Sequence, residues 1–472
     1  MHPTGISTGI LPGTTSGATS GSTPGAIAGG GAAGDRAAPA TRSAALYERA
    51  CRVMPGGVSR NTVLRSPHPA YLDRAEGCRI VDLEGATRLD FANNMASMIH
   101  GHAYPPVVGA VAEQLARGTG CTLATEAEVL FAEHIVGRNS AFERVRFVNS
   151  GTEAIMAGIK AARAFTGRAK IAKVEGAYHG GYDYAEVSQE SRPESWGSLD
   201  RPNRVPLVHG APRSAVEDVI ILPFNDVERA VALLDEHRNE LACVLLDLMP
   251  HRAGLCPAEP SFAAAIREWT SRHGALLLLD EVITFRTEVG GMQTRYGIAA
   301  DLTAMGKFIG GGFPAGAIAG RADVMQVMNP HAERLLYPLS GTFSANPVTM
   351  IAGLTALRDF DAQAVARLNA LAERAMRGIG EAIARSGAPA SVTGAGSIFR
   401  IHMKATPPRS HRDAHPTAAE SARTKALLER LFQAGFLLIN SCSAALSTPM
   451  TEREVDALVG AVEEALVAVV AA

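Results

Sequence analysis

The chain has no surplus of either charge: 45 Lys+Arg stand against 47 Asp+Glu in 472 residues, a formal net charge of −2. Lacking a long basic run, it has little with which to neutralise a nucleic-acid backbone or an anionic lipid surface, so the expected partner is a small molecule. No window holds eighteen uninterrupted apolar residues, which leaves nothing long enough for a spanning helix. The six cysteines (Cys51, Cys78, Cys121, Cys243, Cys256 and Cys442) form no C-x-x-C pair, and several sit in apolar runs where a thiol behaves as a small hydrophobe. That pattern points to a reducing, cytoplasmic setting without disulfides.

Charge is missing altogether from the start of the chain, where no Lys, Arg, Asp or Glu precedes Asp35 and Gly, Ser, Thr, Ala and Pro predominate. Such a stretch buries too little apolar surface to offset its ordering entropy, which predicts a disordered tail over residues 1–42. It has neither the basic start and apolar core of a secretion signal nor the arginine-rich pattern of a transit peptide, so neither export nor membrane insertion is expected.

From about Ser43 the sequence is globular. Its middle alternates short, continuous apolar runs with helical patterns. "KIAKV" (Lys170–Val174), "VIILP" (Val219–Pro223), "CVLLDLM" (Cys243–Met249) and "ALLLLDEV" (Ala275–Val282) read as strands covered on both faces. Between them, "DVERAVALLDEHRNE" and "SFAAAIREWTSRHG" read as helices, the second with Phe262, Ile266 and Trp269 on one face. Strand, helix, strand in this order implies right-handed crossovers and an α/β fold built on a mainly parallel sheet. After Asn346 longer helical patterns surround short apolar runs such as "SIFRIHM" and "GFLLI". We therefore expect a large domain at 91–345 and a smaller α+β domain drawn from both chain ends, 43–90 and 346–472.

Ligands of open parallel sheets collect at the carboxyl ends of strands, and three stretches place polar residues there. In "FVNSGTEAIMAGIKAARAF" an apolar approach ends at Asn149-Ser150-Gly151-Thr152 as a helix begins. Ser150 or Thr152 can cap that helix, or its free N–H groups and dipole can hold a phosphate. In "GALLLLDEVITFR" a leucine run delivers Asp280 and Glu281. A buried carboxylate needs a cation, a metal such as Mg²⁺, or several donors, and Arg286 is the nearest candidate partner. In "DLTAMGKFIGGGFPAG" one lysine, Lys307, lies among glycines and apolar side chains, where lost hydration favours its neutral, nucleophilic form unless it reaches out to solvent.

Two other chemistries are disfavoured. A P-loop needs G-x-x-x-x-G-K-[ST], but Asp301 occupies the first glycine position and Phe308 follows the lysine. "HRDAH", with His411 and His415, is surrounded by Pro407, Pro408 and Pro416, which favour a loop without the helical face a zinc pair would use.

Six motifs in order, "MPGGVSR", "FVNSGTEA", "EGAYHGG", "LLLLDEV", "DLTAMGKFIGGGFPAGAIAGR" and "SGTFSANPVTM", resemble those of the class III pyridoxal-phosphate aminotransferases of fold type I. The likeness runs from about Met54 to about Pro347 and weakly to the C-terminus. It implies a large domain with a mainly parallel seven-stranded sheet, and pyridoxal 5'-phosphate bound as a Schiff base to Lys307. It further implies that Ser150, Gly151 and Thr152 cradle the phosphate, that Asp280 pairs with the pyridine nitrogen, and that Tyr178 and Val282 cover the ring's two faces. Thr342 would reach the phosphate of the other subunit, which makes the enzyme a homodimer. The implied reaction is ping-pong transamination from an amino donor to a keto-acid acceptor.

Arg60, in "MPGGVSRNTVLR", falls where β-phenylalanine aminotransferases and glutamate-1-semialdehyde aminomutases carry a carboxylate-binding arginine, with Arg65 as a substitute. One departure stands out. Where relatives read Glu-Pro, this chain has Asp247-Leu248-Met249-Pro250-His251-Arg252, so Arg252 could touch the cofactor, touch a substrate acid or point outward. The resemblance favours an aminotransferase for a carboxylate-bearing amine, plausibly a β-amino acid. A glutamate-1-semialdehyde 2,1-aminomutase is the alternative, and a non-catalytic pyridoxal-phosphate binder a second one.

Overall fold

The structure, a computed structural model, describes residues 41–470. Most of the expected tail lies outside the described residues, and Arg42 already belongs to the helix Arg42–Val53. Seven strands form the main sheet: β1 (Arg144–Val148), β2 (Lys170–Val174), β3 (Val219–Leu222), β4 (Leu241–Leu246), β5 (Leu276–Asp280), β6 (Leu302–Gly306) and β7 (Gly316–Gly320). Across the sheet they lie in the order β1-β7-β6-β5-β4-β2-β3. Only β7 reverses direction, pairing antiparallel with β1 and β6. The carboxyl ends of the other six strands therefore share one edge.

The continuous apolar runs are explained by burial on both faces. Ile171, Cys243, Leu245, Leu276 and Leu278 pack with the helix Gly151–Thr166 on one side. Ala172, Val244, Leu246, Leu277 and Leu279 pack on the other with the helices Val227–Glu236 and Pro260–His273. Phe262, Ile266 and Trp269 are buried as their spacing predicts, each worth about 1.5–3 kcal/mol in area terms.

Three expected strands stop short, Val219–Pro223 at Leu222 before its proline and the other two by one shared device. The run Cys243–Met249 ends as a strand at Leu246 because the Asp247 carboxyl accepts the Met249 N–H (2.9 Å) and turns the chain. Likewise, β5 ends at Asp280 because its carboxyl accepts the Val282 N–H (3.0 Å). The "HRDAH" segment also differs from expectation: His411–Ala414 makes one helical turn, capped by Ser410, in place of a loop.

The two chain ends meet in one sheet, where Thr87–Asp90 pairs in parallel with Phe436–Leu437, the short strand within "GFLLI". A three-stranded sheet joins Ser391–Ala395, Ile398–His402 and Ser443–Ala445. Around these pack Ala362–Ser386, Ala418–Gln433 and the expected helix Glu452–Val470, whereas the expected helix Pro347–Asp359 lies against the helices Pro105–Arg117 and Glu126–Val136. No helix among the described residues is long and apolar enough to cross a membrane.

Candidate active site

The shared edge of the sheet gathers the three stretches that the sequence marks. After β1, Ser150 caps the helix Gly151–Thr166, its Oγ accepting the Glu153 N–H at 3.2 Å. Glu153 closes the turn by accepting the Asn149 N–H at 2.6 Å. These bonds leave the Gly151 and Thr152 N–H groups outside the helical ladder, at the positive end of the dipole, where an anion is favoured. Gly151 cannot be larger, because an added Cβ would lie 2.8 Å from Val282 Cγ1. The cradle is thereby held directly against the end of β5.

Asp280 is buried there, but Arg286 is not its partner. Its Oδ2 accepts from His179 Nδ1 at 2.7 Å, and its Oδ1 takes the Val282 N–H. Burial pulls the pKa of His179 down, against the pull of the neighbouring carboxylate, and among the described residues no lysine or arginine lies within ion-pair distance of Asp280. His179 Nε2 has no hydrogen-bond partner. Asp247, at the end of β4, is pushed well above the usual carboxylate range, first by burial and then by Asp280. Glu281 is also buried and raised to about 7 by desolvation, although it accepts the Met292 and Gln293 N–H groups at 2.8 and 3.0 Å.

Lys307 follows β6 directly and is partly buried, with a left-handed backbone (φ +54°). A non-glycine residue held there costs about 1–3 kcal/mol, a strain that clusters at functional sites. Desolvation lowers its amine pKa, while Asp280 and Asp247 pull it back up, so both carboxylates lie within its field. The preceding residue, Gly306, abuts Gly151 and Val282.

Tyr178 is exposed beside the cradle, in a loop that turns at Gly180 (φ +86°), where a Cβ would lie 2.3 Å from Thr152 Oγ1. The Arg252 guanidinium stands 5.0 Å from the Tyr178 ring centroid and pairs with Glu190. Arg60 is exposed and donates to Asn94 Oδ1 at 2.6 Å, whereas Arg65 is taken by Glu429 (2.8 Å) and lies over Phe432. Thr342 is exposed. Arg286 is fully buried and donates to Ala96 O, Leu446 O and Ser397 Oγ.

The positions that sequence reasoning passed over are His179, although it lies inside the "AYHGG" motif, and Asp247, seen only as a departure from the usual pattern. Nothing local marks either one, because the relevant partner, Asp280, is 101 residues from His179 in the chain.

Residues 62–465 match the family described as aminotransferase class-III. The chain belongs to the class III aminotransferases. The glutamate-1-semialdehyde 2,1-aminomutase of Methanopyrus kandleri is 36% identical over 90% of this chain and 97% of its own length. An omega-transaminase from Sphaerobacter thermophilus is 45% identical, with a TM-score of 0.88 over 91% of this chain and 98% of that one. A beta-phenylalanine aminotransferase from Variovorax paradoxus is 32% identical, with a TM-score of 0.80 over 89% and 93%. As a class III aminotransferase this protein is a pyridoxal-phosphate-dependent enzyme. The residues present fit that cofactor: a helix N-terminus is open to a phosphate, and a buried carboxylate without a lysine or arginine ion pair suits a protonated pyridine. A strained lysine stands within the field of that carboxylate.

Proposed function

We propose that the enzyme moves an amino group from a carboxylate-bearing amine, of the β-amino acid class, to a keto acid, and that it does so as a homodimer. In this reading Lys307 holds the cofactor covalently through Nζ, the Ser150–Thr152 turn binds its phosphate, and Tyr178 and Val282 flank its ring. When bound, pyridoxal phosphate serves as the electron sink for the carbon that loses a proton. Asp280, oriented by His179 and the Val282 N–H, keeps the pyridine nitrogen protonated. Lys307 Nζ, freed by the incoming donor, takes the proton from the amine-bearing carbon; its lowered pKa suits it to that work. Departure of a keto product and entry of a keto acceptor complete the ping-pong cycle.

The observation that carries the donor class is Arg60, an exposed guanidinium bonded to a neutral amide and so available to a carboxylate. Thr342, exposed beside Phe343, an aromatic residue 62% accessible, supports a shared site across a dimer interface. The aminomutase reading draws support from the names of relatives such as that of Methanopyrus kandleri.

A panel of β-amino acids, simple amines and glutamate-1-semialdehyde, with pyruvate and 2-oxoglutarate as acceptors, tests the proposal. We expect Arg60→Ala to raise KM for carboxylate donors by about 10-fold or more while changing simple amines little. Equal effects on both classes would refute the role of Arg60. Conversion of the semialdehyde without an external acceptor would favour the aminomutase.

A further inference from the structure

A cavity of about 480 Å³ opens between the strand Ile398–His402, the helix Ala418–Gln433 and the segment Leu64–Ser66. It lies beside the strand-end cluster and is joined to it through one residue, His251. Arg400, on the cavity wall, donates to His251 O at 3.1 Å, and Ser441, also on the wall, bonds His251 Nε2 at 3.1 Å. The next residue, Arg252, is the one that stands by Tyr178.

The charges on the wall do not balance. Arg65 is paired with Glu429 at 2.8 Å and Lys404 with Glu420 at 2.7 Å. His402 adds no charge, since burial and the adjacent Arg400 take its pKa down to about 3. Arg400 and Lys425, which also line the cavity, have no carboxylate within ion-pair distance among the described residues.

Arg400 also stands apart from the other arginines whose pKa is lowered by burial. Arg65 has its glutamate. Arg138 donates to three carbonyls, Val289 O, Leu357 O and Phe360 O. Arg286 has its three acceptors. Arg400 has a single carbonyl, and its buried Nε has no partner at all. Those three desolvated guanidinium groups have a carboxylate or three acceptors; Arg400 has neither while lining an open cavity, and a cation so placed calls for an anion.

We propose that this cavity is a binding site for a small organic acid. The carboxylate pairs with Arg400, the hydrocarbon stem lies against Leu64 and Leu428, and Lys425 adds attraction at the exposed rim. The acid comes from one of two sources: the far end of a dicarboxylic substrate reaching past His251, or a separate effector.

The test uses the holoenzyme and glutarate, a dicarboxylate that cannot be transaminated, titrated calorimetrically against wild type, Arg400→Met, Lys425→Gln and Arg60→Ala. Glutarate should bind the wild type, and Arg400→Met should weaken it about 10-fold or more. Where Arg400→Met fails to fold, Lys425→Gln decides, because its surface position spares the fold; a loss of about 2- to 5-fold is expected. Glutarate competing with the amino donor identifies the substrate source, and non-competitive inhibition or activation the effector; either supports the site. The proposal is overturned if glutarate does not bind at millimolar concentration. It is also overturned if folded Arg400→Met, or Lys425→Gln in its stead, keeps wild-type affinity while Arg60→Ala loses it. The site does not rest on the donor class: glutarate held through Arg400 by an enzyme inactive on every carboxylate donor would sink the donor assignment alone.

Discussion

Lys307 bears two costs at once, a left-handed backbone and a desolvated amine, and no structural bond among those described repays either. Both are intelligible if the side chain is a nucleophile aimed at one place. Borohydride should therefore fix the cofactor on Lys307, read by peptide mass, and Lys307→Ala should lose transamination by several orders of magnitude while keeping the wild-type far-UV spectrum. Label recovered on Lys173, the other lysine whose pKa is lowered by burial, would sink the assignment. At this scale the residues that stood out in the sequence were those following an apolar run directly: Asn149 to Thr152 after β1, Asp280 at the end of β5, Lys307 after β6. Asp247 follows β4 and His179 lies in the loop beyond β2, but their importance lies in a pairing or a shared field with Asp280. A contact between distant segments leaves no trace in either one.

The elements show the same division between local and distant causes. Strands and helices of the large sheet were legible because each is specified by its own periodicity and burial. Their endpoints at Asp247 and Asp280 were not, because a carboxyl taking the N–H two residues on is a local choice that competes with continuing the strand. The segment Asn93–Ala96 was wholly illegible. Four consecutive residues without a glycine take φ of +45°, +46°, +59° and +67°, at about 1–2 kcal/mol apiece for ordinary side chains. Tertiary bonds hold this turn: Arg286 grips Ala96 O, and Asn93 Nδ2 donates to Ala445 O. The turn presents Asn94 to Arg60, so its shape matters for the substrate end of the site. Arg286→Met strands three acceptors in the interior and should cost about 2–5 kcal/mol of stability, measured by urea unfolding, with Arg286→Lys recovering part of it. A wild-type unfolding midpoint in Arg286→Met would mean that the turn persists without its clamp.

Across the molecule, one buried group ties stability to pH through the loop that carries Tyr178 and His179. Lys173, fully buried on β2, donates to Ala177 O at 2.9 Å and Val187 O at 2.8 Å, which brackets that loop from below. Desolvation lowers its pKa from 10.5 to about 7, against the pull of Glu175. The unfolded chain therefore keeps the proton between pH 7 and 10.5 while the folded chain releases it, and stability must rise with pH across that window. Below pH 7 both states are charged and the penalty is present in full. One proton's difference is worth up to about 1.4 kcal/mol per pH unit, though opposing groups such as Cys243 and Cys442, raised from 9.0 to about 12, begin to act above about pH 8. The cleanest window is about pH 7 to 8, and the clean control is Lys173→Met, which keeps the bulk and loses the titration. Wild type should gain more stability over that window in matched urea unfolding curves than Lys173→Met, which, though weaker overall from its two unpaired carbonyls, should show a smaller slope, with Lys307 contributing in both proteins. Parallel pH dependence in the two proteins would show that Lys173 stays charged in the fold. The two carbonyls would then be holding a full ammonium in place beneath the loop.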